Sequence, residues 1–211
     1  MAYENAVRQS LYALAIECRH PGHPLPGDRA LERLREIFDE YKWDFSRYEG
    51  PLLEIQREYN ECIQVLRRLP EKDRKQIHTA IKAQREFQRV SAYTDYLRKQ
   101  TRALEQEERE GKSGGLRQRI SATSENMNQV RNAGALAKEE IVCLSAGGFS
   151  SYARIAQLVR KREALKIEFF LHYAPDFLIE SNTQNAFDVA IRSAAQAPSW
   201  WDWISCCSKR R

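Results

Sequence analysis

Long apolar runs are missing from this chain of 211 residues. No window approaches the roughly 18 apolar residues that a membrane-crossing helix needs, and Leu11 to Ile16 is too short for the core of a secretory leader. Alternating β-branched stretches of useful length are missing as well, which removes the usual signal of half-buried strands. Cysteine is sparse and unpaired in pattern: Cys18, Cys62, Cys143, Cys206 and Cys207. An odd count at irregular spacing, with no leader, predicts an intracellular, cytoplasmic protein and argues against a disulfide framework. Neither sign of charge dominates. Lys and Arg number 34 against 29 Asp and Glu, a net +5, and the two signs interleave along most of the chain. Interleaving reads as solvated helix faces, whereas a nucleic-acid stripe clusters its cations. The small basic excess favours an acidic partner. With 42% hydrophobic and 30% charged residues, the chain has the composition of a folded protein.

What is present is helical spacing from end to end, so an all-α fold is expected. Leu31, Leu34, Phe38 and Tyr41 repeat on one face of a 3.6-residue period behind Asp28, a candidate cap. The stretch from Cys18 to Asp28 holds three prolines and two glycines and reads as a loop. Gly50-Pro51 opens the next helical stretch, with Ile55, Tyr59, Cys62, Ile63, Leu66 and Leu69 along one side. Pro70 ends that run and starts another, with Glu71 and Asp73 in the first turn where acids suit the helix dipole. A thin apolar line, Ile77, Ile81, Phe87, Val90, Leu97 and Leu104, then extends to about Glu110. Gln84, Thr94 and Thr101 interrupt it as a coiled-coil seam. Gly111 to Gly115 is a flexible loop and the best internal boundary. The expected organisation is 1–69 helical pairs, 70–145 long polar helices containing the loop 111–115, 146–197 an apolar helical segment, and 198–211 an aromatic, cysteine-bearing and basic tail.

Two segments echo one another. Tyr41-Lys42-Trp43-Asp44-Phe45 and Tyr173-Ala174-Pro175-Asp176-Phe177 share Y-x-x-D-F, and Leu11 to Ile16 is echoed by Ala186 to Ile191. Self-similarity of this kind points to stacked repeats. Ser151-Tyr152-Ala153-Arg154-Ile155-Ala156 and Asn185-Ala186-Phe187-Asp188-Val189-Ala190 begin 34 residues apart. They resemble degenerate openings of ankyrin repeats, whose period is about 33 residues. Ile167 to Tyr173 resembles the second helix of such a repeat and Ala174-Pro175-Asp176 the turn after it. Ser10 to Ala15 and Gly50 to Ile55 resemble two further openings. The chain departs from the family at its turn glycines and at the Thr-Pro opening, of which only Pro51 survives, and 70–145 carry no repeat signal. The resemblance implies a helix-turn-helix stack with long inserted central helices, in which Phe38, Phe45, Phe169, Phe170, Phe187 and Val189 form inter-repeat core. An irregular helical bundle is the alternative.

The same resemblance implies a non-enzymatic scaffold or adaptor that binds another protein through its turns. Mapped onto matching positions, the partner-binding candidates are Lys42, Trp43, Arg47 and Tyr48. Trp beside Arg and Tyr has the composition of a binding hot spot, and the competing reading packs Trp43 inward. Catalytic residues, metals and cofactors are not expected: Cys18, His20 and His23 lack a second ligand cluster, and Gly111 to Gly115 lacks the phosphate-loop pattern. The tail Trp200, Trp201, Trp203, Cys206, Cys207, Lys209, Arg210 and Arg211 supports two readings. One is a capping helix packed on the last repeat. The other is a membrane-surface anchor, since Trp suits the membrane interface, paired Cys can be acylated, and Lys and Arg attract anionic lipid. Nucleic acid is the least favoured partner, because acids such as Glu86 dilute Arg74, Lys75, Lys82, Arg85 and Arg89.

Overall fold

Helix boundaries follow the chain's punctuation. The computed structural model describes residues 2–108 and 144–196, together with Glu125 and Asn128. Among these the chain is all-α, with six α-helices, one short 3-10 helix and no strand. Helix α1 (Ala2–Cys18) runs into the Pro/Gly loop, and α2 (Gly27–Glu40) starts where Pro26 supplies the first accepting carbonyl, 2.8 Å from the Ala30 amide. Asp28 lies inside the first turn and does not cap it, because Pro26 already holds the cap position. Helix α3 (Ser46–Leu66) begins four residues before Gly50. The Asp44 carboxylate accepts from the Ser46 amide at 3.0 Å and the Ser46 hydroxyl at 2.6 Å, which secures a start the Gly-Pro pair had masked. Pro70 separates α3 from α4 (Glu71–Glu108), a single helix of 38 residues.

Helix α5 (Ala146–Tyr173) is continuous over 28 residues. The stretches Ser151–Ala156 and Ile167–Tyr173, expected as two paired helices, therefore belong to one rod. Nothing between them breaks a helix: Arg160, Lys161, Arg162, Glu163, Ala164 and Leu165 all favour that conformation. Ser145 caps α5 by accepting from the Gly148 amide at 3.2 Å. The 3-10 turn Pro175–Leu178 and helix α6 (Ser181–Ala194) follow.

The chain forms two compact units, with the boundaries inside α3 and ahead of α6: Met1–Arg57 plus the stretch from Glu180 onward, and Glu58–Ile179. In the first, α1, α2 and α6 pack on one another, and Arg35 of α2 pairs with Glu49 in the first turn of α3 at 2.5 Å. Val7, Leu11, Leu34, Phe38 and Phe187 have no exposed surface at all. Phe38 lies 5.0 Å from Phe45, 5.8 Å from Trp43 and 6.3 Å from Phe187, ring centre to ring centre. Each such ring buried is worth about 1.5–3 kcal/mol before entropy. Polar pins cross the same unit. Glu180 pairs with Arg8 at 2.6 Å and accepts from the Thr183 hydroxyl at 2.7 Å, and Thr183 meets the Tyr12 hydroxyl at 3.2 Å.

In the second unit Leu66, Ile77, Ile81, Ile155 and Val159 form the core, with Tyr59, Cys62, Ile63, Leu69, Leu144 and Tyr152 around them. Helices α4 and α5 run in the same direction, because their cross-links advance together: Ser145 on Asp73, Arg85 on Glu163, Tyr93 on Asp176. The threonines that interrupt the apolar line of α4 are accommodated locally. Thr94 and Thr101 donate their hydroxyls to the carbonyls of Val90 and Leu97, each at 2.8 Å, so Thr94 is buried without an orphaned polar group. Phe87, expected on the buried line, is 38% exposed.

Candidate functional site: a basic groove between α3 and α4

Where α3 ends, Leu69-Pro70 turns the chain directly into α4, and the two helices leave an open groove of about 430 Å³ between them. Its floor is apolar, Leu66 fully buried and Ile63 half-buried. Its walls are Arg67, just past the end of α3, and Glu71, Arg74, Lys75 and His78 from α4. Three permanent cations and an imidazole therefore face one carboxylate. That carboxylate, Glu71, is taken by Lys75 at 2.7 Å. Arg67 reaches only the neutral Gln64 amide at 3.4 Å, and Arg74 has no ion pair among the described residues.

The fold produces this excess by sorting charges that alternate along the sequence. Asp73 sits between Lys72 and Arg74 in the chain, but its side chain turns inward and is 6% exposed. There it accepts from the Ser145 hydroxyl at the head of α5. With Asp73 withdrawn, the solvent-facing side of the first turns of α4 is left basic. A Cβ on Gly148 would stand 2.7 Å from the Asp73 Oδ2, so a side chain there would have to displace that carboxylate.

Elsewhere the predicted site residues divide. Lys42 and Arg47 are exposed, whereas Trp43 and Tyr48 are each 6% exposed and belong to the core. Trp43 goes inward because α2 ends in a Schellman turn. The Lys42 amide bonds the Asp39 carbonyl at 3.0 Å and the Trp43 amide the Phe38 carbonyl at 2.8 Å, and the Trp43 ring then stacks on Phe38. Lys42 occupies the left-handed position of that turn, φ 56°, where glycine is the usual residue. Arg47 lies over the Tyr48 ring at 5.6 Å.

The Y-x-x-D-F echo is explained by the same geometry. In each copy the final Phe folds back on a Phe three residues before the Tyr: Phe45 on Phe38 at 5.0 Å, and Phe177 on Phe170 at 5.8 Å. Each copy closes a helix, one in each compact unit. The full pattern is F-x-x-Y-x-x-D-F, and the leading Phe was the signal that went unread.

Of the five cations weighed for nucleic acid, Arg74 and Lys75 line the groove and Lys82 is exposed. Arg85 turns to Glu163 at 3.2 Å, and Arg89, 5% exposed, pairs with Glu86. Glu163 itself has no exposed surface and also receives Arg162 and Lys166, each at 3.5 Å. In the loop after α1, the His23 amide bonds the His20 Nδ1 at 3.2 Å, and the two rings stack 6.5 Å apart. Burial pushes the Cys18 thiol up, against an opposing hydrogen bond with Ser193, and burial pushes Cys62 up as well, which keeps both thiols protonated and poorly nucleophilic. Among the described residues no group of three or more His, Cys, Asp or Glu is placed to hold a metal ion, and no helix is long and apolar enough to cross a membrane. The loop 111–115, Cys143 and the tail residues Trp200, Trp201, Trp203, Cys206, Cys207, Lys209, Arg210 and Arg211 lie outside the described residues.

No family model matches this chain, and no curated protein or solved structure matches it.

Proposed function

We propose that this protein is a non-enzymatic helical scaffold that binds another protein of acidic character. The groove between α3 and α4 carries the reading: half-buried Ile63, backed by the core residue Leu66, lies under Arg67, Arg74 and Lys75, with one carboxylate among them. A buried apolar patch rimmed by polar groups is the anatomy of a protein interface. The chain-wide basic excess acts in the same sense, steering an acidic partner toward the surface. The ankyrin-like openings supply a class-level analogy, since repeat scaffolds of that family bind partners through helix faces and turns.

Exposed Lys42, in the turn ahead of α3, and exposed Arg47, in its first turn, offer a second point of contact. Truncating Trp43 is a poor probe of that surface, because its ring supports Phe38 and its loss opens a cavity. The test uses proximity labelling in cells with the full chain, its Arg67→Glu/Arg74→Glu variant and its Lys42→Glu/Arg47→Glu variant. A protein marked by the wild type, lost with the first variant and reconstituted in a purified binary complex is the expected result. Equal labelling by all three chains removes the groove from the interface and this reading with it.

A further inference from the structure

The walls of the groove are two stripes at helical spacing. On one side Ile63 and Leu66 of α3, and Arg67 just past its end, stand at i, i+3 and i+4, the Arg67 amide still bonding the Ile63 carbonyl at 3.0 Å. On α4, Glu71, Arg74, Lys75 and His78 stand at i, i+3, i+4 and i+7. Such a valley accepts a third helix laid along it, with the guest's own i, i+3 or i+4, and i+7 residues reaching the floor. An extended guest fits poorly: no strand edge exists among the described residues to pair its backbone. The α4 wall runs for about 10 Å at 1.5 Å per residue, which matches roughly two turns of a guest helix. The volume, about 430 Å³, is that of a site for side chains rather than for a whole domain.

Charge selects among guests. Among the described residues Arg74 has no acid partner and Arg67 only a neutral amide, so within them both present unneutralised guanidinium groups beside Ile63. Guanidinium groups hold carboxylates through paired hydrogen bonds, and a purely apolar helix would leave those groups facing nothing. Anionic lipid headgroups and nucleic acid share the negative charge but not the i, i+3, i+7 spacing of a helix, which the two stripes match.

We infer that the groove holds an amphipathic, acidic helix of the partner, its apolar face on Ile63 and its Asp and Glu side chains against Arg67, Arg74 and Lys75. The inference rests on the scaffold reading and names the chemistry of its partner.

Two measurements on the full chain test it. In the first, fluorescence polarisation follows a synthetic helical peptide with Leu on one face and Glu on its flanks. A scrambled peptide of the same composition, a peptide with Lys for Glu, phosphatidylserine vesicles and a short RNA serve as rival ligands. The Leu/Glu helix is expected to bind, more weakly as salt rises, and to lose about tenfold or more in affinity with Arg74→Glu. Arg98→Glu changes net charge equally at an exposed site farther along α4 and is expected to leave binding unchanged. Circular dichroism checks that both variants fold. Equal binding of the scrambled peptide, or equal loss with Arg98→Glu, overturns the inference. In the second measurement a photo-crosslinking residue replaces His78, at the far end of the α4 wall, in cells. Cross-links to a protein that the acidic helix displaces support the inference. Cross-links to a protein that it does not displace overturn the inference and leave the scaffold reading standing. Cross-links to lipid or RNA, with those ligands binding in the first measurement, overturn both.

Discussion

Replacing Gly27 and Gly50 by alanine should move stability in opposite directions, although the chemical change is identical. Both glycines lie in α-helices of the same compact unit, so one unfolding transition reports on both. At Gly50 a Cβ meets nothing within 4 Å beyond its two chain neighbours, of which Pro51 crowds any Cβ before it and trims the gain from alanine. Alanine there removes the glycine's excess freedom in the unfolded chain and should stabilise by about 0.5–1 kcal/mol. At Gly27 the same Cβ would stand 2.4 Å from the Ser193 carbonyl oxygen, 3.3 Å from its carbon and 3.4 Å from the Ala194 Cα. Ordinary carbon-to-oxygen contacts lie near 3.3 Å, so about 0.9 Å must be found. The obstacle is the backbone of α6, which cannot rotate away as a side chain can. Forcing a methyl group into packed structure costs about 1–3 kcal/mol, which exceeds the alanine gain. For a chain of this size each kcal/mol shifts the melting temperature by about 2–4 °C. Thermal and urea unfolding followed by circular dichroism should show Gly50→Ala above the wild type and Gly27→Ala below it. Shifts of the same sign would refute the close approach of α2 to the last turn of α6.

Three further outcomes are open to measurement. Lys42→Gly should raise stability by about 1 kcal/mol, read as a higher urea midpoint, because an L-residue at φ 56° bears a left-handed penalty that glycine lacks. Glu163→Gln should cost about 3 kcal/mol or more, since it leaves Arg85, Arg162 and Lys166 without the buried carboxylate they share. An unchanged denaturation midpoint would mean that other acceptors suffice for those cations. Acidification should release the start of α3. The Ser46 hydroxyl and amide hold the Asp44 carboxyl below the usual aspartate range, so its contribution is complete above about pH 4 and lost as pH falls through the lower folded value. An NMR titration of Asp44 should show the depressed midpoint, and Ser46→Ala should move it back up.

Much of the fold is written in short-range pattern. The Pro/Gly loop after Cys18, the break at Pro70, the acidic first turn of α4 and the buried side of α3 were all visible as spacing and punctuation, because helix geometry acts over three or four residues. What pattern could not show was which way a charge turns. Asp73 and Arg74 are neighbours in sequence, yet one is drawn inward by Ser145, 72 residues away, and the other is left in the groove. Similarly, Lys42-Trp43 reads as an exposed turn until the Schellman bonds, set by Lys42 taking a glycine-like conformation, point the indole at Phe38. The continuity of α5 was hidden by the repeat resemblance, which divided a stretch of good helix formers that holds no breaker.

The parallel course of α4 and α5 also shapes how the protein is made. Asp73, Arg85 and Tyr93 meet partners 72, 78 and 83 residues later in the chain. At about 5–20 residues per second of synthesis, the stripe of Ile77, Ile81 and Val90 stands without its α5 partner for roughly 4–17 seconds after emerging from the ribosome. Nascent α4 is therefore a natural client for a chaperone during translation, and slowing elongation across the second half of the message should lengthen that interval and lower the yield of native protein.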